Sequence, residues 1–217
     1  MCFSAEADLV AGLGIGVVGI DALRHVRLPA ERAIALLPVV LGAHLLVESV
    51  VWRGLEGSLS EAAWRSAMTV YLLIAFGLLP VLVPIAVGAL DVTAAHRARV
   101  RWMTGIGTLV AGVLTYAVAR GPVEASIEGH HIAYRVDLSF GGTLVVLYVL
   151  VTCGSLIASK HRKVRLFGAL NLAVVALLVW LDQSAFISLW CAWAAITSIA
   201  IAAHLRTTPA PSQAAHH

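Results

Sequence analysis

Seven long apolar runs take up most of this 217-residue sequence and constrain the fold more than any other feature. Each run is about as long as an α-helix must be to cross the hydrocarbon core of a bilayer. Hydrophobic residues make up 60% of the chain and charged residues 12%, a composition that soluble globular domains do not have. The sequence therefore predicts an all-α integral membrane protein, a seven-helix bundle. Its expected spans are Ala7–Val26, Ala33–Trp52, Trp64–Leu90, Trp102–Ala119, Leu138–Ser159, Leu166–Leu181 and Ile187–Leu205.

These runs predict a single transmembrane domain, residues 1–206, and leave no room for a soluble domain. The polar tail, residues 207–217, is rich in Pro and Ala and is expected to be a disordered cytoplasmic segment. The longest connection follows the fourth run, and Ile132, Tyr134 and Val136 alternate with other residues in it. Such alternation predicts a short extended segment or a hairpin.

Basic residues are distributed unevenly between the two sets of connections. One set, which includes the residue after the last run, carries 11 of the 15 lysines and arginines, and the opposite set carries 4. Because positively charged loops stay on the cytoplasmic side, this asymmetry predicts an N-terminus outside and a C-terminus inside. Membrane topology and anionic lipid then account for the positive charge, so the lipid bilayer is the expected partner and nucleic acid is not.

The first run contains the letters GIGVVG, which match the G-x-G-x-x-G pattern of dinucleotide-binding proteins. That pattern binds phosphate only at a turn between a strand and a helix, whereas these glycines lie inside a predicted span. We interpret Gly12 and Gly16 as part of a small-residue surface that lets a neighbouring helix approach closely. In the third run, Pro80 and Pro84 predict a kink, because each proline removes a backbone hydrogen bond.

The second run holds an ionisable pair that a lipid-facing helix would not retain. His44 and Glu48 are one helical turn apart, and Trp52 follows on the same face. Counting back from Arg53 at ~1.5 Å per residue places Glu48 roughly 7 Å and His44 roughly 13 Å below the membrane boundary. A carboxylate inside the membrane costs about 2.5 to 3.5 kcal/mol on insertion scales, so Glu48 is expected to face the bundle interior and to have a partner.

Three interpretations of this pair are open. It could bind a metal ion, hold a proton or a small ligand, or belong to a hydrogen-bonded network that joins helices. The metal hypothesis needs further ligands from other segments of the outer face, where Glu6, His131 and Cys2 are the candidates. Imidazole and carboxylate suit zinc, and a thiolate would also admit copper. In this hypothesis Glu48 or Glu6 serves as a ligand or as a general base.

Other residues with useful chemistry are expected at the same outer face. Trp52 and further tryptophans near helix ends indicate an interfacial belt, and Trp52 could instead form the wall of a pocket. His130 and His131 point to opposite faces of an extended segment, so at most one of them is expected to turn inward. Cys2 and Cys191 both lie on the oxidising side, where a disulfide can form. A ligand role for either thiol, or a buried apolar role for Cys191, is equally open.

Four stretches of the sequence resemble a family of uncharacterised bacterial seven-helix membrane proteins. The stretches are the opening MCFSA, the H-x-x-x-E-x-x-x-W pattern of residues 44–52, the GHHIAY of residues 129–134 and the SLWCAWAA of residues 188–195. The resemblance spans nearly the whole chain. It implies a multi-pass protein of the bacterial plasma membrane, and it assigns no activity.

The resemblance also implies a set of site residues. It favours His131 over His130, and it adds Ser4 and Tyr134 to the expected pocket. Leu45 and Ser49 stand where the family pattern has Gln and Gly. The full set that the resemblance indicates is Cys2, Ser4, His44, Glu48, Trp52, His131, Tyr134 and Cys191.

The expected site is compatible with more than one class of function. The first is a metal-dependent membrane enzyme, a hydrolase or an oxidoreductase, acting on a small or amphiphilic substrate that enters from the outer leaflet. The second is a carrier or receptor for a small molecule or ion, although the sequence lacks the repeat symmetry typical of transporters. A structural partner of a larger membrane complex is the third.

Overall fold

A computed structural model describes residues 4–90, 94–129, 131–138, 140–181, 197–203 and 205–206. The described chain is mostly helical. Its helices are α1 (Ala5–Arg24), α2 (Arg32–Leu55), α3 (Glu61–Leu72), α4 (Leu79–Leu90), α5 (Ala94–Arg120), α6 (Gly141–Ile157) and α7 (Arg162–Leu181). Residues 197–203 are also helical. A short 3-10 turn (Pro29–Glu31) precedes α2, and a π-helical segment (Leu73–Leu78) joins α3 to α4.

Three described segments are long and apolar enough to cross a membrane: Pro29–Leu55, Glu61–Leu90 and Ala98–Arg120. They support the prediction of a membrane protein. Helix α6 is apolar but shorter than these three segments. Helix α1 is 20 residues long but is not among them, and it has acidic residues in its first turn. Most of the seventh expected span and the whole tail, residues 207–217, lie outside the described residues.

The strands β1 (Val123–Glu128) and β2 (His131–Val136) form an antiparallel hairpin in the connection after α5. The sequence-based prediction of a hairpin is therefore confirmed. The expected all-α class needs a correction, because the structure contains this two-stranded sheet.

Helices α1 and α2 pack closely because glycines line their contact. A Cβ atom added to Gly42 would lie 2.7 Å from the backbone nitrogen of Gly16, and one added to Gly12 would lie 2.9 Å from the backbone nitrogen of Leu46. Both distances are too short for a side chain. The prediction of a small-residue surface in the first helix is confirmed for Gly12, whereas a Cβ added to Gly16 would meet nothing within 4 Å.

The π-helical segment explains how the proline pair is accommodated. The Leu79 N–H donates to the Ile74 carbonyl, five residues earlier. At the same spacing the Ala75 carbonyl would pair with Pro80, which has no N–H. The Tyr148 hydroxyl, on α6, donates to the Ala75 carbonyl at 2.9 Å. The backbone irregularity thus lies one turn before the proline, and a side chain from another helix satisfies it.

The hairpin packs over one end of the bundle, called here the hairpin end. An apolar cluster at this end joins the start of α1, the end of α2, α3, the end of α5 and β2. Its buried members are Ala5, Val51, Trp52, Met68, Tyr71, Leu72, Val118 and Ile132. The first residues of α1 and the last residues of α2 are therefore held beneath the hairpin.

The opposite end of the bundle is tied by polar contacts. The Arg206 guanidinium donates to the Asp21 carboxylate at 2.7 Å, which joins the last described residue to the end of α1. The His161 imidazole lies 3.2 Å from the Leu90 carbonyl and joins the α6–α7 connection to the end of α4. The connections that carry 11 basic residues lie at this end, and those that carry 4 lie at the hairpin end.

Candidate functional site

His44 and Glu48 lie on a buried face of α2 beneath the hairpin end. The His44 side chain is 6% exposed and Glu48 is fully buried. The His44 Nδ1 atom is inaccessible to solvent and has no hydrogen-bond partner among the described residues. A ring nitrogen in this state can donate a hydrogen bond or, when unprotonated, coordinate an ion.

The imidazole of His44 is the innermost member of a three-ring stack. Its ring lies 4.0 Å from that of Tyr71 at an interplanar angle of 13°. The Tyr71 ring in turn lies 4.7 Å from that of Tyr134 at 21°. The stack links α2, α3 and β2, so it fixes the hairpin over the buried pair.

Tyr71 is absent from the residues predicted from the sequence. A signal was present, because Tyr71 follows Met68 by three residues and both face inward on α3. That signal is weak, since an aromatic residue at helical spacing in an apolar run is usually part of the core.

Strand alternation places His131 and Tyr134, both expected in the site, on opposite faces of the hairpin. Ile132 and Tyr134 lie on the hairpin face that packs on the bundle, so His131 starts β2 on the other face. His131 is nevertheless half-buried, and its Nε2 has no hydrogen-bond partner within the part of the chain that the structure describes. His130 lies outside the described residues.

The two acidic residues at the start of α1 have different environments. Glu6 is exposed, whereas Asp8 is fully buried. Gly12 contacts Leu46, so the antiparallel register places Asp8 within about 3 Å of Glu48 along the helix axis. The buried acidic residue of α1 is therefore Asp8, and Glu6, which was expected in the site, lies on the exposed face of the helix.

Ser4 and Trp52 are placed by the structure in roles that the sequence left open. The Ser4 hydroxyl accepts a hydrogen bond from the Ala7 N–H at 3.2 Å and caps α1. Trp52 is 3% exposed and belongs to the hairpin-end cluster, which favours the pocket wall over the interfacial belt. Its indole nitrogen is buried, with no hydrogen-bond partner in the described chain.

Basic side chains are confined to the surface in the described structure. Every lysine and arginine side chain that is described is exposed. At the hairpin end, Arg65 pairs with Glu61 and Arg135 pairs with Glu128, all at the surface. Buried carboxylates need a proton, a cation or hydrogen-bond donors nearby.

The described residues do not by themselves form a metal centre. No three His, Cys, Asp or Glu side chains are grouped so that they could hold an ion in the described ranges. Cys2 and Cys191, which were expected as ligands or as a disulfide, lie outside those ranges. Cys153 is a free, buried thiol of α6. The structure therefore supplies a buried imidazole–carboxylate pair, and a metal site would need further ligands.

A family model matches residues 1–216, nearly the whole chain. The chain belongs to DUF6629, a family of unknown function. No curated protein and no solved structure matches this sequence. Membership in DUF6629 agrees with the resemblance to an uncharacterised family and assigns no reaction.

Proposed function

We propose that this protein is a seven-span protein of the bacterial plasma membrane that binds a metal ion, zinc or copper, at its hairpin end. The observation that carries the proposal is the burial of Glu48 one helical turn from His44, whose Nδ1 has no hydrogen-bond partner in the described structure. A bound cation would stabilise the charged form of a carboxylate buried at this depth.

The orientation follows from the charges. Eleven of the 15 basic residues belong to connections at the end opposite the hairpin. The positive-inside rule assigns that end to the cytoplasm. The hairpin end, with the buried pair, then faces outward, where an amphiphilic molecule can enter from the outer leaflet.

The proposed ligands are His44 and Glu48 from α2 and Cys2 from the N-terminal segment. Cys2 lies two residues before Ser4, whose cap begins α1, and Ala5 of that first turn packs with Trp52 in the hairpin-end cluster. An imidazole, a carboxylate and a thiolate form a set that zinc and copper both accept. Because Glu6 is exposed, we leave it out of this set.

Such a site would support chemistry as well as binding. An ion with an open coordination position activates a bound water at neutral pH, which suits hydrolysis of an amphiphilic substrate. The chain's own contribution is positional: the hairpin covers the site, and the Tyr71 and Tyr134 rings hold His44 in one orientation. Redox chemistry is the alternative reaction class if copper binds.

Metal analysis of detergent-purified protein tests the proposal. Wild type from metal-replete medium should contain about one zinc or copper ion per chain. His44→Phe keeps a ring against Tyr71 but removes the nitrogen ligand, and Glu48→Gln keeps the shape but removes the charge. Both variants should lose the ion while remaining monodisperse. Glu6→Gln, an exposed acidic residue on α1, is the matched control and should retain it.

Two outcomes would contradict the metal proposal. One is metal-free wild type, and the other is loss of metal only in variants that also unfold. A binding site for a small organic molecule, as in a carrier or receptor, would then come first. The observation that favours this second function is the aromatic stack, since rings with polar tips line many small-molecule sites.

A further inference from the structure

A cavity of about 80 Å³ lies between α2, α4, α6, α7 and the helical residues 197–203. Its α2 residues, Leu37 and Leu41, share a helical face with His44 and lie closer to the opposite end of the bundle. The cavity is therefore separate from the hairpin-end site. The described residues that line it are Leu37, Leu41, Leu79, Val83, Tyr148, Thr152, Leu156, Phe167, Asn171, Thr197 and Ile201.

The described part of this lining favours a neutral ligand. None of its residues is Asp, Glu, His, Lys or Arg, and an ion without a counter-charge is costly inside a bundle. Most of the described lining side chains are aliphatic or phenylalanine, and the polar ones are two threonines, an asparagine and a tyrosine. This combination is typical of sites for small, mainly apolar molecules with one hydrogen-bonding group.

Two hydroxyl groups of the lining already donate their hydrogens to the backbone. Tyr148 donates to the Ala75 carbonyl at 2.9 Å. Thr152, one turn further along α6, donates to the Tyr148 carbonyl at 2.9 Å. Each oxygen keeps lone pairs that can only accept. A ligand that pairs with either hydroxyl must therefore be a hydrogen-bond donor.

The backbone next to the cavity is irregular in a way that fits a binding site. The π-helical segment ends immediately before Leu79, a lining residue. Single π-helical turns occur frequently at functional sites. Irregular backbone at membrane depth is tolerated where it is buried in protein or borders a cavity.

The geometry points to a binding site for a small neutral alcohol, whose hydroxyl donates to Thr152 or Tyr148 and whose alkyl part contacts Leu41 and Leu79. An engineered cavity of ~150 Å³ takes up benzene, so a cavity of about 80 Å³ suits the hydroxyl end of a short alcohol. This site does not depend on the metal proposal, because none of its described residues belongs to the hairpin-end site.

Photolabelling of the purified full-length protein tests the inference. The probe is a four-carbon alcohol that carries a diazirine, and its methyl ether is the probe without a donor. Peptide mapping by mass spectrometry should find the alcohol attached to lining residues of α2, α4 or α6. An excess of 1-butanol should suppress that labelling, and an equal excess of its isomer diethyl ether, which cannot donate, should not.

Two variants refine the test. Thr152→Val removes the acceptor hydroxyl and should reduce labelling about fivefold, as expected for one lost hydrogen bond. Thr108→Val is the matched control, because Thr108 makes the same type of hydrogen bond to a carbonyl one turn earlier, at 2.8 Å, on the exposed face of α5. It should leave labelling unchanged.

Equal labelling by the alcohol and its ether would overturn the inference, as would equal competition by 1-butanol and diethyl ether. Both comparisons use wild-type protein, so they decide the matter even if Thr152→Val fails to fold. Attachment of the probe only to exposed residues would also overturn the inference, because it would show partitioning of the probe into lipid or detergent.

Discussion

Tyr71 occupies the middle of the ring stack and contacts aromatic side chains from two other elements. Replacing it with leucine removes the contacts with His44 and with Tyr134. Each such pair contributes about 0.5 to 1.5 kcal/mol beyond the buried area, so Tyr71→Leu should lower the free energy of unfolding by ~1 to 3 kcal/mol. Tyr71→Phe keeps both ring contacts, so comparing it with Tyr71→Leu separates the contribution of the rings from that of the hydroxyl.

Thermal unfolding in detergent, followed by tryptophan fluorescence, measures this effect. Tyr116→Leu is the matched control, because Tyr116 is 66% exposed on α5. For a chain of this size, 1 kcal/mol corresponds to roughly 2 to 4 °C in Tm. If Tyr71→Leu and Tyr116→Leu melted together, the stack would not contribute to stability.

At the scale of single residues, the sequence predicts whether a side chain is buried better than it predicts which side chains it contacts. Glu48 stands out without a structure because an acidic residue in an apolar run is costly unless it faces inward. The same cost does not separate Glu6 from Asp8, but helical spacing does, because Asp8 lies four residues before Gly12 on the predicted contact face and Glu6 does not. Which of them is buried depends on the packing of α1 against α2, and the structure buries Asp8.

Helices α1 and α2 depend on glycine at their crossing. An alanine at position 42 would bring its Cβ to 2.7 Å from a backbone atom of Gly16, which no side-chain movement relieves. Gly42→Ala should therefore separate the helices and lower Tm by several degrees. Gly14→Ala is the matched control, because a Cβ there has nothing within 4 Å.

Unfolding in detergent distinguishes these two variants, which make the same chemical change. Gly14→Ala should leave Tm unchanged or raise it, because alanine favours helix more than glycine does. A Gly42→Ala protein as stable as Gly14→Ala would show that the close crossing is not needed.

Elements are predicted well where their signal is local. Hydrophobic runs locate α2 and α6 to within three residues at each end, and alternation locates β2, because both patterns follow from backbone periodicity. The π-helical segment could not be located. The Ala75 carbonyl has no N–H partner at Pro80 and instead accepts a hydrogen bond from the Tyr148 hydroxyl of another helix. No local pattern encodes that contact.

The molecule as a whole has two chemically different ends. The hairpin end combines an apolar cluster with the buried imidazole–carboxylate pair. The opposite end carries most of the basic residues and is tied by the Arg206–Asp21 pair. Counting the basic residues in the connections predicts this division, because the count needs only the order of the apolar runs along the chain. It does not anticipate which side chains meet beneath the hairpin.

Orientation in the membrane is the prediction that belongs to this scale. A reporter active only in the cytoplasm, fused after Arg206, should be active, because 11 of the 15 basic residues belong to connections at that end. The same reporter inserted after Gly57, in the exposed turn between α2 and α3, should be inactive, and a reporter of external location should give the reverse pattern. The α2–α3 turn is preferable to the hairpin for this insertion, because Ile132 and Tyr134 pack on the bundle. An active cytoplasmic reporter at Gly57 would place the buried His44–Glu48 pair nearer the cytoplasm, and an amphiphile from the outer leaflet could then no longer be its substrate.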